Sequence, residues 1–386
     1  MTGTTASGPL AGLTVIEMAG IGPVPLAALM LAEYGARVIR IERLGGGAGF
    51  LPKSPDTDIS LHGRSTLKVD LKRPEGVELM MRLVESADIL VEGFRPGVME
   101  RLGLGPDTCL ERNPRLVYGR MTGFGQDGPL ADRAGHDLTY LALTGGLHAI
   151  GPKDGRPVIP LNLVADYGGG TMFLVTGVLA ALVSRATTGR GQVVDAAMVD
   201  GASMLLAPTF AYMAAGFWKD SRGVNLLDGG VPFYDVYEAA DGRHVAVACL
   251  EPQFFAEFVR LLPLDPGFVP RQYDPRAWPE LRAAIAARIA ERPRDEWAEH
   301  FAASDACVAP VLSIAEAIEH PHNRARNVHA TVGGLTRPRP APRFSETPAE
   351  IAGPLAAAPD LTALLGSFGI GAEETGALVS NAVIGA

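Results

Sequence analysis

Cysteine is scarce: Cys109, Cys249 and Cys307 are the only three in 386 residues, and they are widely scattered. That excludes a disulfide framework and any paired-cysteine zinc spacing, and makes a reducing cytoplasm the expected compartment. His320 and His322 flank Pro321, but no third ligand is spaced to join them, so no metal site is expected. No apolar run attains the roughly 20 residues that a membrane span requires, and the stretch after Thr171 falls short. The first residues, Met1 to Ser7, are small and polar and carry no export pattern, while Val383-Ile384-Gly385-Ala386 matches no common C-terminal address. Basic residues are in deficit, and a net charge of −9 argues against broad nucleic-acid binding.

What is present describes a globular enzyme rich in loops: 47% hydrophobic residues with 46 Gly and 30 Pro. A length of 386 residues exceeds one ordinary core and predicts two domains. Strands are expected at Leu13–Met18, Val38–Ile41, Leu67–Leu71, Ile89–Glu92, Leu116–Met121 and Val193–Ala196. Helices fall between them, Pro74–Ser86 with Pro74 near its first position among them. This alternation predicts an α/β fold with a mostly parallel sheet covered on both faces. The character changes near Trp218. Tyr234–Glu238 and His244–Cys249 read as a hairpin joined at Asp241-Gly242, followed by helices, which predicts a smaller α+β domain. The expected division is 1–216 for the large domain, 217–226 for a linker and 227–320 for the small domain. Residues 321–386 then return to the large domain with a partly disordered, alanine-rich tail. A single helix is expected over Ala197–Gly216.

One stretch stands out: Leu161-Asn162-Leu163-Val164-Ala165-Asp166-Tyr167-Gly168-Gly169-Gly170-Thr171. An apolar run delivers Asp166 to a glycine-rich turn, and a long apolar helix follows from Met172. Asp166 is expected at the N-cap, beside amides that lack intrahelical partners. Such an acid moves a proton while the amides hold a developing oxyanion. Three glycines would leave the backbone bare for a ligand. Between Arg37 and Arg73, eight basic residues oppose only four acids, a local excess suited to a compact polyanion. The Ala19-Gly20-Ile21-Gly22-Pro23 turn does not suit a dinucleotide, because Pro23 and Pro25 remove amides where a pyrophosphate would need them. Gly93-Phe94-Arg95-Pro96-Gly97 pushes Arg95 outward at a strand end, and Gly45–Ser65 is expected to loop over the ligand.

Gly20-Ile21-Gly22-Pro23 with Arg43, Phe94-Arg95-Pro96-Gly97, Gly135-His136-Asp137, Leu163–Gly170 and Gly189-Arg190-Gly191-Gln192-Val193-Val194-Asp195 stand in this order. Together they resemble the family of α-methylacyl-CoA racemases and class III CoA-transferases, over about Pro9 to Phe344. The resemblance implies a Rossmann-like large domain, a small domain and an interlocked homodimer, with the active site between one subunit's large domain and the other's small domain. Gly-His-Asp and Glu251-Pro252-Gln253 favour the racemase branch and carry over His136, Asp166 and Glu251 as catalytic residues. The transferases generally lack that histidine and use the aspartate as a nucleophile.

The chemistry agrees. Inverting C2 of a thioester calls for one acid–base group on each face, and His136 and Asp166 both cycle through acid and base forms. The Asp166 amide is the expected donor to the enolate oxygen, and Glu251 the expected partner that orients His136. Arg43, Arg64 and Arg95 are the expected ligands of coenzyme A phosphates, since a guanidinium grips them in a fork. Met198 and Tyr234 are expected to face the acyl chain, although core packing is the stronger prior for a methionine. The acyl-CoA thioester is the only small molecule called for: no cofactor, membrane or nucleic acid is expected. The acyl chain itself stays open among branched fatty acid, sterol side chain and arylpropionate. A CoA-transferase and a non-catalytic CoA-binding protein are the competing readings.

Overall fold

A computed structural model of the chain describes residues 7–46, 57–354 and 359–385. It divides into two compact units: Met1–Thr144 with Leu161–Leu205 and Asn327–Ala386, and Gly145–Pro160 with Leu206–Arg326. The sequence had suggested divisions near 216 and 320. The structure changes unit at 205/206 and 326/327, and groups Gly145–Pro160 with the second unit.

In the first unit six strands run parallel: β1 (Thr14–Met18), β2 (Arg37–Arg43), β3 (Arg64–Val69), β4 (Ile89–Glu92), β5 (Val117–Thr122) and β6 (Val193–Ala197). Their order across the sheet is 3-2-1-4-5-6. Every residue of β4 and β5 is buried, because helices cover both faces, so these strands read as continuous runs rather than alternating ones. On one face the helix Pro74–Ser86 buries Leu79, Met80, Leu83 and Val84, the three-and-four spacing of a single stripe. On the other face Leu174 and Val178 press against β5 at Gly119, where any side chain would collide with them.

Residues 359–385 of the tail form regular elements. Helices Leu361–Gly366 and Ala372–Ser380 lead to β12 (Ile384–Gly385), which pairs antiparallel with β3 and closes the sheet edge. Leu365, Ile370, Val383 and Ile384 are buried in the core of this unit. Sparse apolar residues hid this, because small alanines and glycines separate the few that anchor it. The single helix expected over Ala197–Gly216 is two, Met198–Leu205 and Ala207–Ala214. Pro208 has no N–H and its ring opposes the preceding turn, so the helix breaks before it.

The second unit holds an antiparallel sheet of β7 (Tyr234–Glu238), β8 (His244–Ala248) and β9 (Val308–Pro310). Gly242 supplies the positive φ of 73° that the hairpin turn requires. Helices Pro252–Leu261, Trp278–Ile289 and Arg294–Phe301 accompany the sheet, and Phe233, Phe255, Phe258, Trp297 and Phe301 fill its aromatic core. Back in the first unit, β10 (His329–Val332) and β11 (Leu335–Pro338) form a hairpin. It delivers the buried Arg337 to Glu33 and to the Ala352 carbonyl.

Candidate active site

The strand order reverses between β1 and β4, which lie side by side. At such a switch point the chain leaves the two strands in opposite directions and opens a crevice at their C-terminal ends. The exit from β1 is Ala19–Gly22 and the exit from β4 is Gly93–Gly97. Gly22 adopts φ +72°, and a Cβ built there would stand 3.7 Å from Asp166 Oδ2. The Thr171 hydroxyl donates to the Pro23 carbonyl at 2.8 Å, which ties the Asp166 segment to the helix that begins after Gly22.

Asp166 is not an N-cap. Leu163–Thr171 is itself helical, with wide π-type turns: the Met172 amide reaches back to the Tyr167 carbonyl. It continues into Met172–Thr188, making one 26-residue helix. By length and composition alone that helix suffices to cross a membrane, contrary to the reading that broke the run at Asp166 and the glycines; in the structure it lies on the sheet. Gly169 and Gly170 are buried and serve helix packing. A Cβ at Gly169 would stand 2.5 Å from the Ala202 amide nitrogen, and one at Gly201 would collide with the Gly169 carbonyl. Wide turns of this kind recur at functional sites.

Around Asp166 the chain gathers His136, Asp137, Tyr140 and Asn162, with Arg95 beyond Tyr140. His136 stands exposed just before the helix Asp137–Leu143, with its backbone extended at φ −139° and ψ 170°. The Thr139 hydroxyl fixes that backbone, accepting from the His136 N–H at 3.0 Å and donating to its carbonyl at 2.8 Å. Asp137 is buried, and its Oδ2 accepts the amides of both Ala165 and Asp166 at 2.8 Å each. The Asp166 amide, expected to hold an oxyanion, is therefore already engaged. Burial pushes the half-buried Asp166 carboxyl above its ordinary range. Asn162, donating at 3.3 Å, opposes this; Asp137 adds to it; His136 pulls back. Burial and the Asp166 charge likewise raise the Tyr140 hydroxyl, while Arg95 lowers it, so that hydroxyl feels both groups. Gly123 and Gly135 are bare because the Tyr140 ring occupies the space of their missing side chains.

The other sequence candidates separate. Arg64 is buried and belongs to the interior: its Nε pairs with Glu17 at 2.5 Å, and its other nitrogens donate to the Pro25 and Ser60 carbonyls. A guanidinium so enclosed cannot grip a phosphate. Arg40 pairs with Glu17 and Glu42 and Arg37 covers the Phe368 ring, so part of the basic strip is structural. Lys53 lies outside the described residues, as do residues 47–56 of the loop expected over the ligand. Arg43 and Arg95 remain exposed at the ends of β2 and β4. Met198 is buried against Gly170, a core position rather than an acyl contact. Tyr234 and Glu251 lie in the second unit. Tyr234 packs on its aromatic core, and Glu251 precedes the helix Pro252–Leu261, where its charge is felt by Tyr273 and Cys307.

Sequence reasoning missed three further features. Glu92 sits under the Arg95 turn: its Oε2 accepts the Phe94 amide at 2.7 Å and its Oε1 meets Arg120 at 3.0 Å. Burial lifts this carboxyl to about 7. Lys72, Arg73 and Arg101 line a cleft with Leu71, Pro74 and Leu102, on the strand-end edge of the sheet. Asp137 is the third; only its place inside Gly135-His136-Asp137 hinted at it. Among the described residues, no group of three or more His, Cys, Asp or Glu is arranged to hold a metal.

A doubly wound sheet with an acid–base cluster at its switch point defines the class, and comparison with known proteins gives the family. The chain belongs to CoA-transferase family III, whose model matches residues 10–362. It is 45% identical over 342 residues to alpha-methylacyl-CoA racemase of Mus musculus, covering 88% of this chain and 87% of that one. It is 42% identical over 343 residues to alpha-methylacyl-CoA racemase of Homo sapiens, with the same coverage of 88% and 87%. The crystal structure of a CAIB/BAIF family protein from Brucella suis superposes with a TM-score of 0.77 at 27% identity, over 94% of this chain and 99% of that one.

Proposed function

We propose that this chain is a racemase that interconverts (2R)- and (2S)-2-methylacyl-CoA thioesters by two-base proton transfer. The observation that carries the reading is the meeting of His136 and Asp166, two different acid–base groups, in the crevice of the sheet. One takes the α-proton from C2 while the other returns a proton to the opposite face of the planar enolate. A carboxyl raised by burial suits Asp166, because its protonated form is more accessible near neutral pH. With the Asp166 amide engaged by Asp137, the enolate oxygen takes its hydrogen bonds elsewhere. The amides of Asp137 and Leu138 have no acceptor among the described residues and lie beside His136. Arg43 and Arg95 bind phosphates of coenzyme A, and the cleft of Lys72, Arg73 and Arg101 takes its nucleotide end. Tyr234 faces the acyl chain. The reaction needs no cofactor beyond the coenzyme A of its substrate, and no metal. The enzyme works as a cytoplasmic homodimer in which Glu251 of one subunit orients His136 of the other.

The test uses a (2R)-2-methylacyl-CoA in D2O without an acceptor acid. Deuterium is expected at C2 as the S epimer accumulates, and His136→Ala and Asp166→Ala are each expected to lower inversion by about 10²–10⁴-fold. CoA transfer to an added acid with C2 left protonated would instead mean that Asp166 is a nucleophile and would overturn the racemase reading. For the shared site, His136→Ala and Glu251→Ala subunits are mixed; recovery of activity in the mixed dimers supports it, and none in verified mixed dimers counts against it.

A further inference from the structure

We propose that Asp137 is a positioning residue: its buried carboxylate locks the backbone beside His136 to the backbone of Asp166 and so fixes the separation of the two proton-transfer groups. The inference rests on the two-base reading above. Its basis is the double acceptance by one oxygen, Oδ2, of the Ala165 and Asp166 amides, each at 2.8 Å. Those hydrogen bonds span from one catalytic segment to the other, about thirty residues apart in sequence. No other hydrogen bond between described residues joins the helix Asp137–Leu143 to the first turn of the Asp166 helix.

The second carboxylate oxygen is bare. Asp137 Oδ1 is buried without a hydrogen-bond partner among the described residues. A residue chosen for stability alone would not leave that oxygen desolvated, since an unmade hydrogen bond in the interior is costly. Asparagine would accept the same two amides without a buried charge. The carboxylate differs from asparagine in the field it sends toward Asp166. The groups that face Asp166 are Asp137, His136 and Tyr140 from one helix, Asn162 from its own N-terminal end, and Arg95 beyond Tyr140. Asp137 is the nearby acid that adds to the rise of the Asp166 carboxyl. It therefore both sets the distance between the bases and keeps a proton on Asp166 more accessible.

Two variants separate these roles. Asp137→Asn keeps an acceptor for both amides and removes the charge. The acid limb of kcat/KM is expected to move to lower pH, equally for both epimers, because their equilibrium constant is fixed; KM is expected to change little. Asp137→Ala removes the lock as well. Inversion is expected to fall roughly 10–100-fold through kcat, the scale for a reacting group displaced by about an ångström. Exchange of the C2 proton with D2O should fall less than inversion, since one base suffices for exchange and both are needed for inversion. A merely structural role would lower exchange and inversion together and leave the acid limb in place. An unmoved acid limb in Asp137→Asn overturns the electrostatic role, and an unchanged exchange-to-inversion ratio in folded Asp137→Ala overturns the lock. Should Asp137→Ala not fold, the same ratio in Asp137→Ser, which keeps a short side chain, decides the lock. Wild-type protein that fails to place deuterium at C2 would fault the racemase reading instead, so the two failures are distinct.

Discussion

Glu17 and Asp166 are both acids near the C-terminal end of β1, and burial raises both carboxyls. Their surroundings differ in kind. Glu17 is wholly buried between two guanidiniums, Arg40 at 2.6 Å and Arg64 at 2.5 Å, supplied by the neighbouring strands β2 and β3. Asp166 is half-buried and among the described residues has only the Asn162 amide at 3.3 Å and the influence of His136, with Asp137 working against it. A charge that adjacent strands compensate on all sides is part of the architecture. A charge left undercompensated at the crevice can change its protonation state at small cost. The contrast teaches that arginines alone do not mark a phosphate site; an arginine already paired inside the sheet is unavailable to a ligand.

Breaking the closed cluster is the largest effect expected. Glu17→Ala leaves two buried guanidiniums without their partner and is expected to destabilise the first unit by about 3–5 kcal/mol, measured as the midpoint of urea unfolding. Asp166→Asn is expected to shift that midpoint by no more than about 1 kcal/mol while abolishing inversion. If Glu17→Ala unfolds at the wild-type midpoint, the division between architectural and reactive carboxylates fails.

Much of this contrast was hidden in the sequence, whereas much of the fold was not. The six parallel strands of the sheet and the helix Pro74–Ser86 were legible, because apolar runs punctuated by Pro and Gly are local signals. The order of motifs singled out His136 and Asp166, and the fold brings the two near each other. Arg64 was misread because the basic strip is a property of the chain, whereas pairing with Glu17 depends on which strands lie side by side. The three glycines after Asp166 looked like a ligand surface for the same reason. The neighbour of the middle one, Ala202 with Gly201, is thirty-odd residues away in sequence and appears only when the two helices pack. Asp137 acts through backbone amides of a distant segment and Glu92 through Arg120 on the neighbouring strand, and no residue pattern announces such contacts.

Glu92 offers a way to sharpen the comparison, for it lies between the two extremes: buried and paired with Arg120, yet placed under the exposed Arg95 turn. Its carboxyl is raised from 4.5 to about 7, with burial the main cause. The native state therefore holds a proton that the unfolded chain releases between these values. That contribution to stability is full below about 4.5 and is lost as pH rises through about 7, a decline on the order of 3 kcal/mol. Glu92→Gln keeps a carbonyl for the Phe94 amide and cannot titrate. Its unfolding free energy relative to wild type is expected to rise across that window, followed by urea melts at successive pH values. A constant difference between pH 4 and 8 would show that Arg120 and the Phe94 amide offset the burial, so that Glu92 titrates alike in the native and unfolded chain.

The smallest effect distinguishes the two arginines that the sequence had grouped together. Arg43 ends β2 exposed, whereas Arg64 begins β3 with its side chain wholly buried against Glu17. Arg43→Ala is expected to weaken acyl-CoA binding by about 1–3 kcal/mol, the scale of one charge-assisted hydrogen bond, with turnover of bound substrate little changed. Its thermal midpoint should stay at the wild-type value, because an exposed side chain at a strand end contributes little to folding. Arg64→Ala should do the reverse, lowering the thermal midpoint through the stranded Glu17 while any folded fraction binds normally. Titration calorimetry with a 2-methylacyl-CoA and a parallel thermal melt read both quantities for both variants. Ionic strength adds a further check: the loss caused by Arg43→Ala should shrink as salt screens the phosphate contact, while the Arg64 effect, shielded from solvent, should persist. Normal binding by Arg43→Ala would leave Arg95 and the Lys72–Arg73–Arg101 cleft as the phosphate contacts and remove Arg43 from the site.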